Sequence, residues 1–278
     1  MRPLDTLLFT DLDGTLLDHE TYSFDPARPA LRQLHERGIP LILTTSKTLI
    51  EVIDLNRALH NRAPVIIENG GAMAFPLDRE HPFSLPEHEI VDEHAVMRFS
   101  PEYSAIRAFI DRQRDEHGYQ MRGFGDMRAI EVAQLTGLAV EEAEQARRRL
   151  CSEPFVWEDD EASLEAFAEA AAADGLRLTR GGRFHHLMGN TSKAVAMRAM
   201  VELYRGDVEP TVIACGDSEN DAEMLESADI AVVVMRHDGT HLSSRGREQT
   251  IRTAQPGPAG WNMAIEALLG DLARQAAG

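Results

Sequence analysis

The chain has 278 residues and a formal net charge of −18 at pH 7, and this length suits one large α/β domain or two smaller ones. The acidic balance argues against a nucleic-acid partner, because nucleic-acid binding depends on clustered Lys and Arg. No apolar run approaches the length of a membrane span, no signal-peptide pattern follows Met1, and the two cysteines are too few for a disulfide framework, so we expect a cytoplasmic protein with no membrane partner.

Short apolar runs alternate with amphipathic segments at the two ends of the chain. The first part predicts strands at 6–10, 39–44 and 64–68 and helices at 26–37 and 49–60. The last part predicts strands at 211–215 and 230–234 and helices at 193–204, 222–227 and 261–272. Strands that are continuous apolar runs between helices predict an α/β fold with a Rossmann-like, doubly wound parallel sheet.

The middle of the chain does not follow this alternation. It mixes helices with less regular segments, notably 119–127 and 176–186. We therefore expect a core formed by residues 1–84 and 188–278, interrupted by an inserted α+β domain at residues 85–187.

Two aspartates, Asp11 and Asp13, follow the first predicted strand and precede a Gly-Thr turn. Alternate side chains of a strand point the same way, so both carboxylates can face one small volume. One carboxylate there can act as a nucleophile and the other as a general acid and base. Crowding two negative charges is costly without a cation, so we expect Mg²⁺. A calcium loop of the EF-hand type is excluded because Leu16 stands where that pattern needs glycine.

Hydroxyl and lysine side chains follow the second predicted strand and open a later helix. Thr45 and Ser46 can bind a phosphoryl oxygen beside a helix N-terminus, although both residue types are also common helix caps. Lys47 is either a further phosphate or carboxylate contact or a surface lysine. Lys193 can reach a phosphoryl group and a nucleophile together, and its alternative is a solvated helix residue.

A second acidic turn follows the predicted strand at 211–215. Asp217 lies in a Gly-Asp turn between that strand and a helix, and it is placed to be a second metal carboxylate. Asn220 and Asp221 can orient metal ligands or metal-bound waters.

In this order and at these strand ends, the segments resemble the haloacid dehalogenase superfamily of Mg²⁺-dependent phosphatases, and the long insertion resembles its large α/β cap of the C2B type. Further segments resemble the mannosyl-3-phosphoglycerate phosphatase family, and they lie at residues 45–48, 68–71, 122–127, 152–155, 180–185 and 257–261. One departure is that Ser46 and Lys47 stand where related sugar phosphatases commonly carry Gly-Arg.

The resemblance implies a role for each matching residue. Asp11 would attack phosphorus and form an aspartyl-phosphate, and Asp13 would protonate the leaving oxygen and then activate water. Thr45 and Lys193 would hold the phosphoryl oxygens. The implied ligands of Mg²⁺ are the Asp11 carboxylate, the Asp13 backbone carbonyl and Asp217, supported by Asn220 and Asp221.

The resemblance also implies a small, anionic sugar-phosphate substrate, mannosyl-3-phosphoglycerate, hydrolysed to mannosylglycerate. Glucosyl-3-phosphoglycerate, another sugar phosphate and a phosphohexomutase reaction are the alternatives, and the number of subunits is left open. A substrate with a carboxylate besides its phosphate requires cations and hydroxyl-binding groups. The candidate substrate-binding residues are Ser46, Lys47, Glu68, Asn69, Arg122, Arg180, Arg183 and His185. For Glu68 and Asn69, positioning of a cap loop is the alternative.

Overall fold

The structure is a computed structural model that describes residues 6–181, 184–207 and 209–276. In chain order its strands are β1 (Thr6–Thr10), β2 (Leu41–Leu43), β3 (Val65–Ile67), β4 (Ala72–Pro76), β5 (Glu89–Val91), β6 (His94–Arg98), β7 (Met121–Gly123), β8 (Ser152–Trp157), β9 (Leu176–Arg180), β10 (His185–Gly189), β11 (Thr211–Gly216), β12 (Ile230–Met235) and β13 (Gln249–Pro256). The helices are α1 (Arg28–Arg37), α2 (Leu49–Ala58), α3 (Tyr103–His117), α4 (Ala129–Thr136), α5 (Val140–Ala146), α6 (Glu161–Ala173), α7 (Lys193–Tyr204), α8 (Ala222–Ser227) and α9 (Gly257–Ala276).

Five parallel strands form the central sheet, in the order β13–β12–β11–β1–β2. Alternate residues of β1 face opposite layers, as expected of a strand that is buried on both sides. Leu7 and Phe9 belong to one buried cluster with Met197 of α7, whereas Leu8 belongs to another with Trp261 of α9. The predicted doubly wound, parallel α/β core is therefore confirmed.

Local sequence explains where the helices of the core begin. Thr48 caps α2, since its hydroxyl accepts a hydrogen bond from the Glu51 amide and the Glu51 carboxylate accepts one from the Thr48 amide. Ser192 caps α7 by accepting a hydrogen bond from the Val195 amide. These caps fix the starts of α2 and α7. Across the described ranges, none of the helices is long and apolar enough to cross a membrane.

Two antiparallel sheets flank the core. The first has the order β3–β4–β6–β5, and a parallel bridge between Thr44 and Ile66 joins it to the edge of the central sheet. The second, which we call the cap sheet, has the order β7–β8–β10–β9. The division at residue 85 stays a prediction, and the pairing of β6 with β4 favours a later start of the inserted domain. The prediction that 176–186 is less regular is wrong, because this segment supplies β9 and the first residues of β10.

The cap sheet is covered by helices on one face. Ile106 of α3 and Phe167 of α6 share a buried cluster with Phe155 and Leu187 of the sheet. The other face is turned toward the core, since Arg177 of β9 forms an ion pair with Glu223 of α8. The cap sheet therefore lies near α8, the helix that follows the turn after β11.

Candidate active site

The carboxyl ends of β1 and β11 bring the two acidic turns together. The strands are parallel and in register, with Thr10 opposite Cys215, and the Asp11 amide donates a hydrogen bond of 2.9 Å to the Cys215 carbonyl. Asp11 is the first residue after β1, and Asp217 is the first after β11. Adjacent parallel strands thus deliver both aspartates to one edge of the sheet, as the sequence predicts.

Lys193 lies between two of the carboxylates. Its Nζ atom is 2.6 Å from Oδ1 of Asp11 and 2.7 Å from Oδ1 of Asp221. The lysine side chain is only 1 % exposed, which excludes the alternative of a solvated helix residue. One buried cation is shared by two buried anions. Because little water screens these charges, they attract each other more strongly than they would at the surface.

The cluster carries more negative than positive charge. Burial, together with Asp221 and Asp217, raises the pKa of Asp11 well above its usual value, although Lys193 opposes the shift. Burial and then Asp221 raise the pKa of Asp217 to about 6. Both shifts are those of carboxylates that are buried and lie beside other carboxylates.

A divalent cation fits this deficit. One carboxylate oxygen from each of Asp11, Asp217 and Asp221 lies within 4.8 Å of the other two, and carboxylates are the hard oxygen donors that Mg²⁺ uses. The oxygens of Asp221 are already engaged, Oδ1 by Lys193 and Oδ2 by the amides of Asp217 and Ser218. Asp11 and Asp217 are therefore the carboxylates best placed to bind a metal, with Asp221 holding the turn around them.

Thr15 orients Asp217 and was not singled out in the sequence. Its hydroxyl donates a hydrogen bond of 2.8 Å to Oδ1 of Asp217, across 202 positions of the chain. The sequence does contain a signal for this role, because Thr15 is the hydroxyl residue of the Gly-Thr turn that follows Asp13.

Asp13 and Lys47 form an ion pair at the mouth of the cluster. Oδ2 of Asp13 is 3.1 Å from Nζ of Lys47, and Oδ1 of Asp13 is buried without a hydrogen-bond partner among the described residues. Burial lowers the pKa of Lys47, but the charges of Asp13 and Glu51 outweigh it and raise that pKa above its usual value. Lys47 is thus a partner of Asp13 and not a free surface lysine.

The turn after β2 is held by its neighbours. Thr45 is buried, and its hydroxyl accepts a hydrogen bond of 3.2 Å from the Lys47 amide. The Ser46 carbonyl accepts one of 3.0 Å from the Arg149 guanidinium. Arg149 has no signal in the sequence beyond a run of three arginines, so its link to the turn after β2 was missed.

Glu68 and Asn69 lie in a one-turn helix after β3. The Glu68 carboxylate is fully buried and accepts hydrogen bonds from the amides of Leu150 and Cys151 and from the Ser152 hydroxyl. These contacts favour the alternative of a residue that positions the chain entering the cap sheet. Oδ1 of Asn69 accepts a hydrogen bond of 3.0 Å from the Asn220 side chain, which brings Asn69 to the acidic turn.

Among the described residues, Arg122, Arg180 and His185 make their contacts away from the acidic cluster. Arg122 is half exposed and lies 3.6 Å from a Glu158 oxygen. Arg180 is exposed at the end of β9, and the His185 ring stacks on Phe155 with 5.6 Å between ring centroids. Arg183 lies outside the described residues. Substrate binding by these residues stays a prediction.

Similar proteins of known sequence span nearly the whole chain. A protein of Methanococcoides burtonii named glucosyl-3-phosphoglycerate/mannosyl-3-phosphoglycerate phosphatase is 42 % identical over 267 residues, which cover 95 % of this chain and 97 % of that protein. A protein of the same name from Persephonella marina is 36 % identical over 272 residues, covering 96 % and 98 % of the two chains.

Solved structures share the fold at low sequence identity. BT1666, a phosphatase of the haloalkanoate enzyme superfamily from Bacteroides thetaiotaomicron, superposes with a TM-score of 0.66 at 20 % identity, covering 97 % of this chain and 96 % of that one. The sucrose-phosphatase of Synechocystis sp. PCC6803 gives a TM-score of 0.59 at 14 % identity, covering 95 % and 97 %. These likenesses concern the fold alone.

The family profile agrees with the residues that form the site. The sequence profile described as haloacid dehalogenase-like hydrolase matches residues 8–99 and 157–239, which include both acidic turns and Lys193. The prediction made from the motifs is confirmed: the chain belongs to the haloacid dehalogenase-like hydrolase family.

Proposed function

We propose that the protein is a Mg²⁺-dependent phosphatase that hydrolyses a glycosyl-3-phosphoglycerate, mannosyl-3-phosphoglycerate or its glucosyl counterpart. The observation that carries the proposal is the buried cluster of Asp11, Lys193, Asp217 and Asp221 beside Asp13. The printed names of the two relatives, which are glucosyl-3-phosphoglycerate/mannosyl-3-phosphoglycerate phosphatases, support the substrate class.

Asp11 is the proposed nucleophile. Its carboxylate attacks phosphorus, an aspartyl-phosphate forms, and the bond from phosphorus to the glycerate oxygen breaks. Asp13 gives its proton to that leaving oxygen and then removes a proton from the water that hydrolyses the aspartyl-phosphate, so inorganic phosphate is released and both aspartates are restored. The Lys47 ion pair holds the Asp13 side chain beside the cluster.

Lys193 and Thr45 are the proposed phosphoryl-binding groups. Lys193 contacts Asp11 directly and so can neutralise the nucleophile and the incoming phosphoryl oxygens together. Thr45 follows the strand next to β1, at the same edge of the sheet. A local cation is needed here because the chain as a whole, at −18, repels an anionic substrate.

The carboxylates of Asp11 and Asp217 and the backbone carbonyl of Asp13 would hold Mg²⁺, with Asn220 and Asp221 fixing the turn around Asp217. The metal would neutralise charge on the transferring phosphoryl group. A cytoplasmic location is part of the proposal, and it is supported by two buried, unpaired cysteines, which suit a reducing compartment.

The test is phosphate release by the purified protein with Mg²⁺. The substrates are mannosyl-3-phosphoglycerate, glucosyl-3-phosphoglycerate, 3-phosphoglycerate and a panel of hexose phosphates, each measured with and without a chelator. We expect the highest kcat/KM on one or both conjugates and loss of turnover with the chelator. Activity confined to hexose phosphates would overturn the substrate class, and turnover only with an added sugar bisphosphate would indicate a mutase.

A further inference from the structure

Two adjacent residues of the cap sheet carry buried polar atoms that lack partners. Oγ1 of Thr179 and Nδ1 of His186 find no hydrogen-bond partner within residues 6–181, 184–207 and 209–276. The two residues lie opposite each other in the antiparallel register of β9 and β10. Buried polar atoms without partners are rare in folded proteins because they are destabilising. A pair of them side by side indicates a place where a ligand supplies the missing hydrogen bonds.

The two side chains lie on the face of the cap sheet that is turned toward the core. Their neighbours Leu178 and Leu187 pack with the cluster of α3 and α6 on the other face, and successive residues of a strand point to opposite faces. Arg177 lies on the same face as Thr179 and forms an ion pair with Glu223 of α8. Thr179 and His186 are therefore located above the catalytic edge of the core.

The charge state of the His186 imidazole determines which kind of group it can bind. Burial, followed by the charges of Arg149, His185 and Lys193, lowers the pKa of His186 to about 3. At neutral pH the imidazole is uncharged, so it suits a hydroxyl group better than an anion. The Thr179 hydroxyl can likewise donate and accept a hydrogen bond.

A third atom without a partner lies on the core side. Nδ2 of Asn69 is buried and has no hydrogen-bond partner in the described part of the chain. The oxygen of the same amide is held by Asn220 in the acidic turn. The acidic turn thus also has an uncharged hydrogen-bond donor beside it that is without a partner.

We infer that Thr179 and His186 form a subsite for the hydroxyl groups of the substrate's sugar. The sugar is the part of the substrate that does not react. The inference rests on the proposed function, since it assigns the sugar end of that substrate. It differs from the expectation for Arg122 and Arg180, because it places sugar recognition in uncharged groups. His186 adjoins His185 in the sequence but lies on the opposite face of β10.

The test compares substrates with and without the sugar. For each variant, kcat/KM is measured on the better glycosyl-3-phosphoglycerate and on 3-phosphoglycerate, and their ratio is taken. Thr179→Val removes the hydroxyl at constant shape, and His186→Gln removes a group at Nδ1. We expect each substitution to lower this ratio about tenfold, which is the effect of losing one hydrogen bond to a sugar hydroxyl. His186→Asn, whose amide lies near the position of Nδ1, should retain more of the ratio than His186→Gln.

Thermal unfolding separates recognition from a structural role. Thr179→Val removes a buried polar atom without a partner, so its Tm should stay unchanged or rise by about 2 °C. His117→Asn, at the exposed end of α3 behind the sheet, is the control for loss of a histidine from the inserted segment. A fall in Tm for both Thr179→Val and His186→Gln with unchanged ratios would overturn the subsite.

Three further outcomes are decisive. A lowered ratio in His185→Asn, with normal ratios in the Thr179 and His186 variants, would assign the sugar to the other face and overturn the inference. A wild-type protein that acts on hexose phosphates but on neither conjugate would overturn the proposed function itself, and the subsite with it. Normal wild-type activity on a conjugate with unchanged variant ratios would overturn the subsite alone.

Discussion

The balance of charge around Asp11 predicts how the site responds to a neutral replacement. Asp11 shares Lys193 with Asp221, and the pKa of Asp11 is raised first by burial and then by Asp221. An amide in its place keeps the shape but is not a nucleophile. We expect Asp11→Asn to lower kcat at least about a thousandfold. Its Tm should stay unchanged or rise, because one of several crowded carboxylates is removed.

The matched control for this prediction is a surface aspartate. Asp25 is exposed and pairs with Arg28 one turn away. Asp25→Asn should leave both kcat and Tm within error, since exposed ion pairs contribute little. If Asp11→Asn kept a tenth or more of the wild-type kcat, Asp11 would not be the nucleophile.

His186 predicts a pH dependence of stability. Its pKa is lowered to about 3 in the folded protein, chiefly by burial and then by Arg149, whereas an unfolded histidine titrates near 6.5. Below 6.5 the unfolded state therefore binds more protons, so stability is lost as the pH falls from 6.5 toward 3. At pH 5 this single group destabilises the fold by about 2 kcal/mol relative to pH 7.

The measurement is the free energy of unfolding in urea at pH 7, 6 and 5. His186→Gln removes the titrating ring, so its stability should fall less steeply over this range than that of the wild type. His117→Asn serves as the control because His117 is half exposed. Parallel curves for the wild type and His186→Gln would show that His186 is not buried in its neutral form.

At the scale of elements, one glycine governs how closely the turn after β3 approaches the start of α7. Gly70 has a φ of +89°, and a Cβ atom there would lie 2.2 Å from the Ser192 carbonyl oxygen and 2.7 Å from the Lys193 amide. Both contacts are backbone atoms at the start of α7, so the clash cannot be relieved by a side-chain rotation. Residue 70 thus sets the position of the helix that carries Lys193.

Gly70→Ala should destabilise the protein by about 3 kcal/mol and lower kcat. The strained φ and the clash with α7 reduce stability, and the displaced start of α7 moves Lys193. Gly118→Ala is a matched control. Gly118 has a φ of +73°, but no described atom lies within 4 Å of its Cβ position, so only the backbone strain of about 1 kcal/mol applies. Urea unfolding and steady-state kinetics of both variants measure the difference. Equal losses would mean that the close approach to α7 is not maintained.

The sequence predicted the elements whose signal is local and continuous. The strands that deliver Asp11 and Asp217 are mostly apolar runs, and the structure contains both at nearly the predicted bounds. β13 was missed because it is an edge strand whose side chains are mostly exposed, which leaves no apolar run to recognise.

The cap sheet was harder to predict because its strands are buried on each face by different partners. In β10, His185 lies on the face that packs against α3 and α6, and His186 lies on the face turned toward the core. A shift of the strand register by one position would exchange the two histidines. Only the register with β8 and β9 decides which histidine faces the core. Similarly, nothing local showed that Arg149 reaches the Ser46 carbonyl, because that contact spans 103 positions.

At the scale of the whole molecule, two of the polar contacts that join the core to the segment of the cap sheet differ in burial. Glu68 is enclosed and holds the amides of Leu150 and Cys151, with the Arg149 guanidinium 3.5 Å away. The Arg177–Glu223 ion pair is open to solvent, with side chains 36 % and 48 % exposed. Burial distinguishes the two contacts, so their contributions to stability should differ greatly.

Glu68→Gln should destabilise the protein by about 3 kcal/mol, because it leaves Arg149 without its countercharge and replaces an acceptor that faces several donors. Glu223→Gln should cost at most about 1 kcal/mol, because an exposed ion pair is screened by water and ions. The measurement is urea unfolding of both variants at low and high salt, where only the small effect of Glu223→Gln should depend on salt. A loss of similar size in the two variants would mean that Glu68 is reached by solvent, and the core and the cap sheet would then not be joined through a buried contact.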